Sequence, residues 1–238
     1  YGFSSQYAQS PAPRGGGIFR HNWWQLWEPA NGKFPPFDYV FASLDSSYTE
    51  KEENDPSGLT VWGTFKHPDT GKRRIMLIHA WRKHLQFSGP RDEQKPRETY
   101  NAWVLRTQKD WGLIEWVRHT GLRFKIDRLL IEAKASGISA AQELGNRWSN
   151  VGFGIELCQV TGDKYARAIA VQPTFSQLMV YAPAREWSEM VKDEMGVFPK
   201  GKYKDLTDSA TQAIKHLRDI GLADTDEEEL IAATERVR

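Results

Sequence analysis

Phe37-Asp38-Tyr39-Val40-Phe41-Ala42-Ser43-Leu44-Asp45 is the stretch on which the reading of this chain turns. It is almost continuously apolar and rich in β-formers, with Tyr39 and Phe41 on one alternating face and Val40, Ala42 and Leu44 on the other. A strand that is apolar on both faces is covered on both sides, which places it inside a sheet flanked by helices. It ends in Asp45, ahead of the polar loop Ser46-Ser47-Tyr48-Thr49-Glu50. Open α/β sheets hold their ligands at the carboxyl ends of their strands. Aspartate also starts turns well, so Asp45 alone does not separate a ligand site from a turn.

The pattern recurs. Asp127-Arg128-Leu129-Leu130-Ile131-Glu132 is a second short aliphatic run closed by an acid. Between the two runs, 59–65 and 74–81 read as strands joined across His67-Pro68-Asp69-Thr70-Gly71-Lys72, giving an antiparallel meander led by the acid-tipped strand. Residues 98–119 read as one long helix with Trp103, Leu113, Ile114 and Val117 on its apolar stripe, stopped by Gly121. A helix between two strands makes a crossover, so the Glu132 strand should run parallel to the Asp45 strand. Ala135-Ser136-Gly137 reads as a turn, and 139–148 as a helix. Beyond it, 154–160 and 178–181 read as strands, and 165–171, 185–195 and 205–220 as helices. The expected fold class is α/β, a mixed central sheet with helices on both faces.

Composition bounds the function. The chain has 238 residues, 39% hydrophobic and 12% aromatic, enough for a sizeable core. Lys and Arg number 32 against 31 Asp and Glu, so polyanion binding requires a local patch and DNA affinity should be modest and steeply salt-dependent. The single cysteine, Cys158, excludes an internal disulfide and reads as a packed, inert thiol. No apolar run is long enough for a membrane span, and no signal peptide is present, so a soluble protein of the cell interior is expected. No histidine pair has zinc-ligand spacing, and structural or solvent-facing roles are expected for all six.

Residues 1–36 read as a linker and clamp ahead of the domain. Gln9-Ser10-Pro11-Ala12-Pro13-Arg14-Gly15-Gly16-Gly17 has linker composition. The aromatic cluster of 18–27, with Trp23, Trp24 and Trp27, suits either base stacking or clamping of the linker onto the body. The opening Tyr1-Gly2-Phe3, without methionine, reads as part of something longer. Residues 37–220 form the expected domain, and 221–238 an acidic, solvated tail in which Thr225 and Glu228 have capping-box spacing.

Three acidic positions remain: Asp45, Glu132 and the pair Asp205/Asp208 on the first turn of the last long helix. Adjacent strands lie about 5 Å apart, so two acid-tipped parallel neighbours bring their carboxylates within reach of common ions. Clustered carboxylates raise one another's pKa and need cations. Hard divalent ions with oxygen ligands, Mg²⁺ or Mn²⁺, suit such a cluster, and two of them support phosphodiester hydrolysis. Lys134, Lys164, Arg167, Lys200, Lys202 and Lys204 lie near the acids in sequence and suit phosphate contacts. First-turn acids are also good helix caps, which is the simpler reading of Asp205 and Asp208.

Several motifs together resemble the nuclease domain of tailed-phage large terminase subunits. They are Phe41-Ala42-Ser43-Leu44-Asp45-Ser46-Ser47-Tyr48, Asp55-Pro56-Ser57-Gly58-Leu59-Thr60-Val61-Trp62-Gly63, Leu130-Ile131-Glu132-Ala133-Lys134-Ala135-Ser136-Gly137, Gly162-Asp163-Lys164-Tyr165-Ala166-Arg167-Ala168, and Phe198-Pro199 through Lys204-Asp205-Leu206-Thr207-Asp208. Even the segment from Phe3 to Phe19 is similar to that family's connector between ATPase and nuclease domains. The resemblance implies an RNase H-like fold and a two-metal DNA endonuclease, using Mg²⁺ or Mn²⁺, that cuts concatemeric viral DNA. It implies Asp45 and Glu132 as metal-binding acids. Many members have His-Asp-Asp where this chain has Tyr203-Lys204-Asp205, with a further Asp matched by Asp208, so either of Asp205 and Asp208 completes the set, with Asp205 favoured. Implied partners are double-stranded DNA, an ATPase domain of the same full-length chain, the portal protein and the small terminase subunit, in the host-cell cytoplasm. No Gly-x-x-x-x-Gly-Lys-Ser/Thr loop occurs, so no ATPase activity is expected from these residues. Two other readings stay open: another RNase H-like nuclease of resolvase or transposase type, and a non-catalytic DNA- or portal-docking module.

Overall fold

A computed structural model describes residues 17–29, 32–47, 56–159, 162–228 and 234. The proline- and glycine-rich part of the expected linker, the loop after Ser47 as far as Asp55, and the last residues of the acidic tail lie outside the described residues. The strands are β1 (Gln25–Leu26), β2 (Tyr39–Asp45), β3 (Ser57–Lys66), β4 (Arg73–Lys83), β5 (Arg128–Glu132), β6 (Gly154–Cys158) and β7 (Val180–Ala182). The helices are α1 (Tyr100–Thr107), α2 (Leu113–Phe124), α3 (Ala135–Arg147), α4 (Lys164–Ser176), α5 (Glu186–Val197) and α6 (Asp205–Asp219).

They build one seven-stranded sheet in the order β1-β7-β4-β3-β2-β5-β6. The meander is as expected, β2 to β3 to β4 antiparallel, and β5 returns parallel to β2 after the helical crossover. This is the expected mixed α/β architecture. β2 is central, and its two faces feed two cores. Phe41 packs with Trp62, Leu77 and Leu130 under α4, α5 and α6, through Phe175, Met195, Ala210 and Ile214. Ala42 and Leu44 pack with Val61, Met76 and Ile131 under α2 and α3, through Ile114, Val117 and Leu144. Covering both faces of an apolar strand removes its side chains from water, each large one contributing on the order of 2 kcal/mol.

Four local readings need correction. The expected long helix over 98–119 is two helices, α1 and α2, broken at a 3₁₀ turn Gln108–Asp110. The break is set by Glu115, whose carboxylate accepts from the backbone N–H of both Gly112 and Gly89 at 2.9 Å. Gly112 lets the 86–88 segment approach: a Cβ there would lie 2.6 Å from the Ser88 Cα. Gly121 does not end α2; it sits inside it, facing the Phe153 ring, and the helix stops at Lys125 in the left-handed region (φ 50°). Ala135-Ser136-Gly137 is no turn but the first turn of α3, which starts three residues after Glu132. The strand expected over 59–65 begins earlier, with Ser57 and Gly58 already in β3.

Both ends of the described chain are stitched to the body. Phe19 and Trp24 are buried against Phe175, with ring centroids 5.0 and 5.1 Å away, and β1 adds to the sheet edge beside β7. The acidic run at 224–228 is not a solvated tail. Asp226 pairs with Lys72 at 2.5 Å and Arg74 at 3.3 Å, Glu228 pairs with Arg218 at 2.7 Å, and Thr225 and Glu228 close the expected capping box. Cys158 is half-buried on edge strand β6, and burial together with nearby Glu156 pushes its thiol up to about 11, as expected of an inert thiol. Among the described residues, no helix is long and apolar enough to cross a membrane.

A half-buried histidine contributes a pH dependence to stability. His79 stacks on Phe124 at 4.8 Å and meets Trp187 at 5.3 Å. Burial, helped by Arg123 and Lys83, lowers its pKa from 6.5 to about 4. Between those values the unfolded chain holds the proton and the folded one does not, so stability rises with pH across that window. In urea unfolding, the midpoint of the wild type minus that of His79→Phe should therefore fall as pH drops from about 6.5 to about 4. His119 and His216 are shifted the same way, and Asp45, raised to about 7, acts in the opposite sense, so the total slope is their sum; a midpoint difference that does not change with pH would remove His79 as a cause.

Candidate metal centre

The site begins at the register of two strands. Leu44 of β2 pairs with Ile131 of β5, so the next step along each strand sets Asp45 beside Glu132 at the carboxyl edge of the sheet. Both side chains are buried, at 7% and 6% exposure. The loop and helix after Glu132 are held by Gly137, where a Cβ would lie 2.0 Å from the Glu132 carbonyl oxygen. Ser136 ties this turn to the other strand, donating to the Ser46 carbonyl at 2.9 Å.

The third acid arrives on α6, which lies across β2 and β3. Ser209 donates to the Ser43 carbonyl at 2.7 Å and meets the Thr60 hydroxyl at 2.7 Å, while Gln212 donates to the Ser43 hydroxyl at 3.1 Å. These bonds dock the helix on the strand that carries Asp45. Asp208, the residue before Ser209, reaches the same edge. Asp205 opens the helix with its backbone against Gly58, the β3 partner of Asp45.

Three cations link the acids. Lys134 pairs with Glu132 and reaches Asp45 Oδ1 at 3.7 Å. Arg167 lies 3.5 Å from Glu132 Oε1 and 3.5 Å from Asp208 Oδ1. Lys164 pairs with Asp208 Oδ2. The chain of contacts runs Asp45, Lys134, Glu132, Arg167, Asp208, Lys164, so its formal charges cancel. Burial pushes the Asp45 carboxyl up to about 7; Lys134 opposes the shift, and Asp208 and Glu132 add to it. Burial alone would lower the Lys164 ammonium, but the hydrogen bond and charge of Asp208 together with the charge of Asp45 outweigh that and raise it.

Of the basic residues expected to contact phosphate, Lys134, Lys164 and Arg167 join the acids. Lys200, Lys202 and Lys204 do not enter this cluster among the described residues: Lys202 lies over the Tyr203 ring at 4.9 Å, and the Lys204 carbonyl accepts from the Asp208 N–H. As the side chains stand, no three His, Cys, Asp or Glu among the described residues are grouped closely enough to hold a metal ion. The donor chemistry nevertheless fits a hard divalent cation: carboxylate oxygens from three elements, with no thiolate or imidazole among them.

Two supports escaped the sequence reading. Glu194 of α5 is 4% exposed; its Oε2 accepts from Arg82 at 2.6 Å, and its Oε1 accepts from the Thr207 N–H at 2.8 Å. It thereby holds the first turn of α6. Nothing in an amphipathic helix marks one inward glutamate as a tether. Gly58 did carry a signal, since a glycine inside a strand often marks close backbone approach. A Cβ there would lie 2.6 Å from the Asp205 carbonyl carbon.

No family model matches the chain, and no curated protein matches it. Among solved structures it is similar to the nuclease domain of the large terminase subunit gp2 of bacterial virus Sf6. There the TM-score is 0.50 and the identity 9%, over 83% of this chain and 98% of that one. The chain thus shares the fold of a large terminase nuclease domain. The large terminase nuclease of thermophilic phage G20c, with bound magnesium, aligns at TM-score 0.47 and 13% identity, covering 85% of this chain and 98% of its own. The human cytomegalovirus terminase nuclease domain, Mn-soaked and inhibitor-bound, aligns at 0.46 and 12%, covering 75% and 81%.

Gly58→Ala should push α6 away from β3 and cost about 1–3 kcal/mol in urea unfolding. Gly145→Ala is the control, because nothing lies within 4 Å of its added methyl and the helical site favours alanine. Equal effects of the two substitutions would show that Gly58 does not set the approach. Removing a buried ion-pair partner with Glu194→Ala should cost about 3–5 kcal/mol.

Proposed function

We propose that this chain is a divalent-metal-dependent DNA endonuclease of the terminase kind, hydrolysing phosphodiester bonds at the edge formed by β2, β5 and α6. The supporting observation is the convergence of Asp45, Glu132 and Asp208, remote in sequence, around shared cations. Asp45, Glu132 and Asp208 would hold Mg²⁺ or Mn²⁺, with two ions the natural number for this chemistry. Asp208 is preferred to Asp205 as the third ligand because Arg167 joins it to Glu132. When bound, such ions supply an activated water and neutralise the oxygen that leaves.

The protein's own groups do the rest. The Lys134 and Lys164 side chains are about half exposed (49% and 46%), and such ion pairs contribute only about 1 kcal/mol or less. They are the cations that would yield to a metal held by the carboxylates, and their ammonium groups would then be free to meet backbone phosphate. Arg167, at 13% exposure, keeps its place and orients Glu132 and Asp208. Lys200, Lys202 and Lys204 extend the positive surface next to α6 and would position a duplex without reading its bases. The wider reading, cutting of concatemeric viral DNA in the host cytoplasm alongside an ATPase domain, a portal protein and a small terminase subunit, is what the motif resemblance implies, and the shared fold is compatible with it.

Supercoiled plasmid should be nicked and linearised in Mn²⁺ or Mg²⁺ and left intact in EDTA. Asp45→Ala, Glu132→Ala and Asp208→Ala should each lower the rate on the order of a hundredfold or more, and Asp205→Asn by less. Full activity in Asp45→Ala would overturn the mechanism. A larger loss in Asp205→Asn than in Asp208→Asn would exchange the roles of those two acids.

A further inference from the structure

Away from the acids, α1, the start of α2, the end of α3 and the 90–94 segment enclose a cavity of about 430 Å³. Trp103, Trp111, Trp148 and Tyr100 line it. Ring centroids are 5.6 Å apart for Tyr100 and Trp103, and 5.5 Å for Trp103 and Trp111. The Trp103 N–H donates to the Asp92 carbonyl at 3.0 Å and the Trp111 N–H to the Thr107 hydroxyl at 3.0 Å. With those polar atoms satisfied inside the protein, these two indoles offer the cavity carbon and π surface.

Arg118 lines the same cavity. Its guanidinium carbon lies 4.6 Å from the centre of the Trp148 ring, and its Nε is buried with no hydrogen-bond partner. Of the acids that line the cavity, Asp92 is paired with Arg106 at 2.6 Å and Glu115 with Arg147, while Glu93 and Asp110 are exposed to solvent. A guanidinium has donors only, so what satisfies it is an acceptor, and an anion best of all.

We propose that this cavity binds a planar aromatic ring carrying an anionic group, the chemistry of a nucleotide, with phosphate on Arg118 and the base against the tryptophan wall. Phosphate takes the guanidinium fork bidentately, and bases stack on indole without regard to sequence. The volume lies in the range of small-molecule sites, about 300–1,000 Å³, so it admits one nucleotide and no duplex. A free mononucleotide and the end of a single strand present the same chemistry. The site is independent of the acid cluster and needs no metal.

Calorimetry in EDTA tests it, with dAMP, adenosine, inorganic phosphate and a short oligothymidylate bearing a terminal phosphate. Binding of dAMP, with adenosine and phosphate each much weaker, supports a mononucleotide site; binding of the oligothymidylate without dAMP supports capture of a strand end. In either case Arg118→Gln should weaken binding about tenfold or more in a protein that circular dichroism shows still folded at the titration temperature, its Tm lowered only by the lost contact with Trp148. Asp45→Ala should bind as the wild type does. Absence of binding by both nucleotide ligands would mean that water alone completes Arg118 and would overturn the proposal. Unchanged binding in Arg118→Gln, or binding lost in Asp45→Ala, would overturn it too, the latter by placing the nucleotide at the acids.

Discussion

Like charges at one edge of the sheet are what the rest of this molecule is arranged to tolerate. Parallel pairing of β2 and β5 sets Asp45 beside Glu132, both buried. Two carboxylates about 5 Å apart repel by about 3 kcal/mol at an effective dielectric of about 20. A third acid from α6 multiplies the repulsion, against a net stability of only about 5–15 kcal/mol for a whole domain. The protein answers with Lys134, Arg167 and Lys164, threaded between the acids. Asp45 still feels the burial, with its carboxyl raised to about 7.

Holding the third acid in place is a packing problem. Helix α6 reaches the sheet edge because Ser209 and Gln212 bond to β2, Gly58 leaves room on β3, and Glu194 secures Thr207 from the neighbouring α5. Four elements thus fix one carboxylate. Precision of this kind comes from rigid elements and their supporting bonds rather than from loops. Glu194 also engages Arg82 of β4, so the start of α6 is linked to the meander that carries Asp45.

The two chain ends serve that frame. Phe19 and Trp24 wedge against Phe175 of α4, the helix whose first residues include Lys164 and Arg167. At the other end, Asp226 and Glu228 anchor the segment after α6 to β4 and to α6 itself. Segments that look peripheral by composition therefore brace the helices that present the cations and the third acid.

How much of this was legible beforehand differs by scale. The apolar run of β2 on both faces determined a central, doubly covered strand, and the helical stretch before Leu129-Leu130-Ile131 determined a parallel return, so the neighbourhood of Asp45 and Glu132 followed from pattern alone. Hydrophobic periodicity reports burial, and burial sets the sheet. The break between α1 and α2 escaped it, because one carboxylate, Glu115, bonding two backbone N–H groups leaves the apolar stripe unchanged. The linkage of Asp208 to Glu132 through Arg167, the tether at Glu194, the close approach at Gly58 and the buried, unpartnered Nε of Arg118 were likewise decided only in three dimensions. Each depends on atoms from elements far apart along the chain, and side-chain direction at such meeting points is set by packing, which no one-dimensional period encodes.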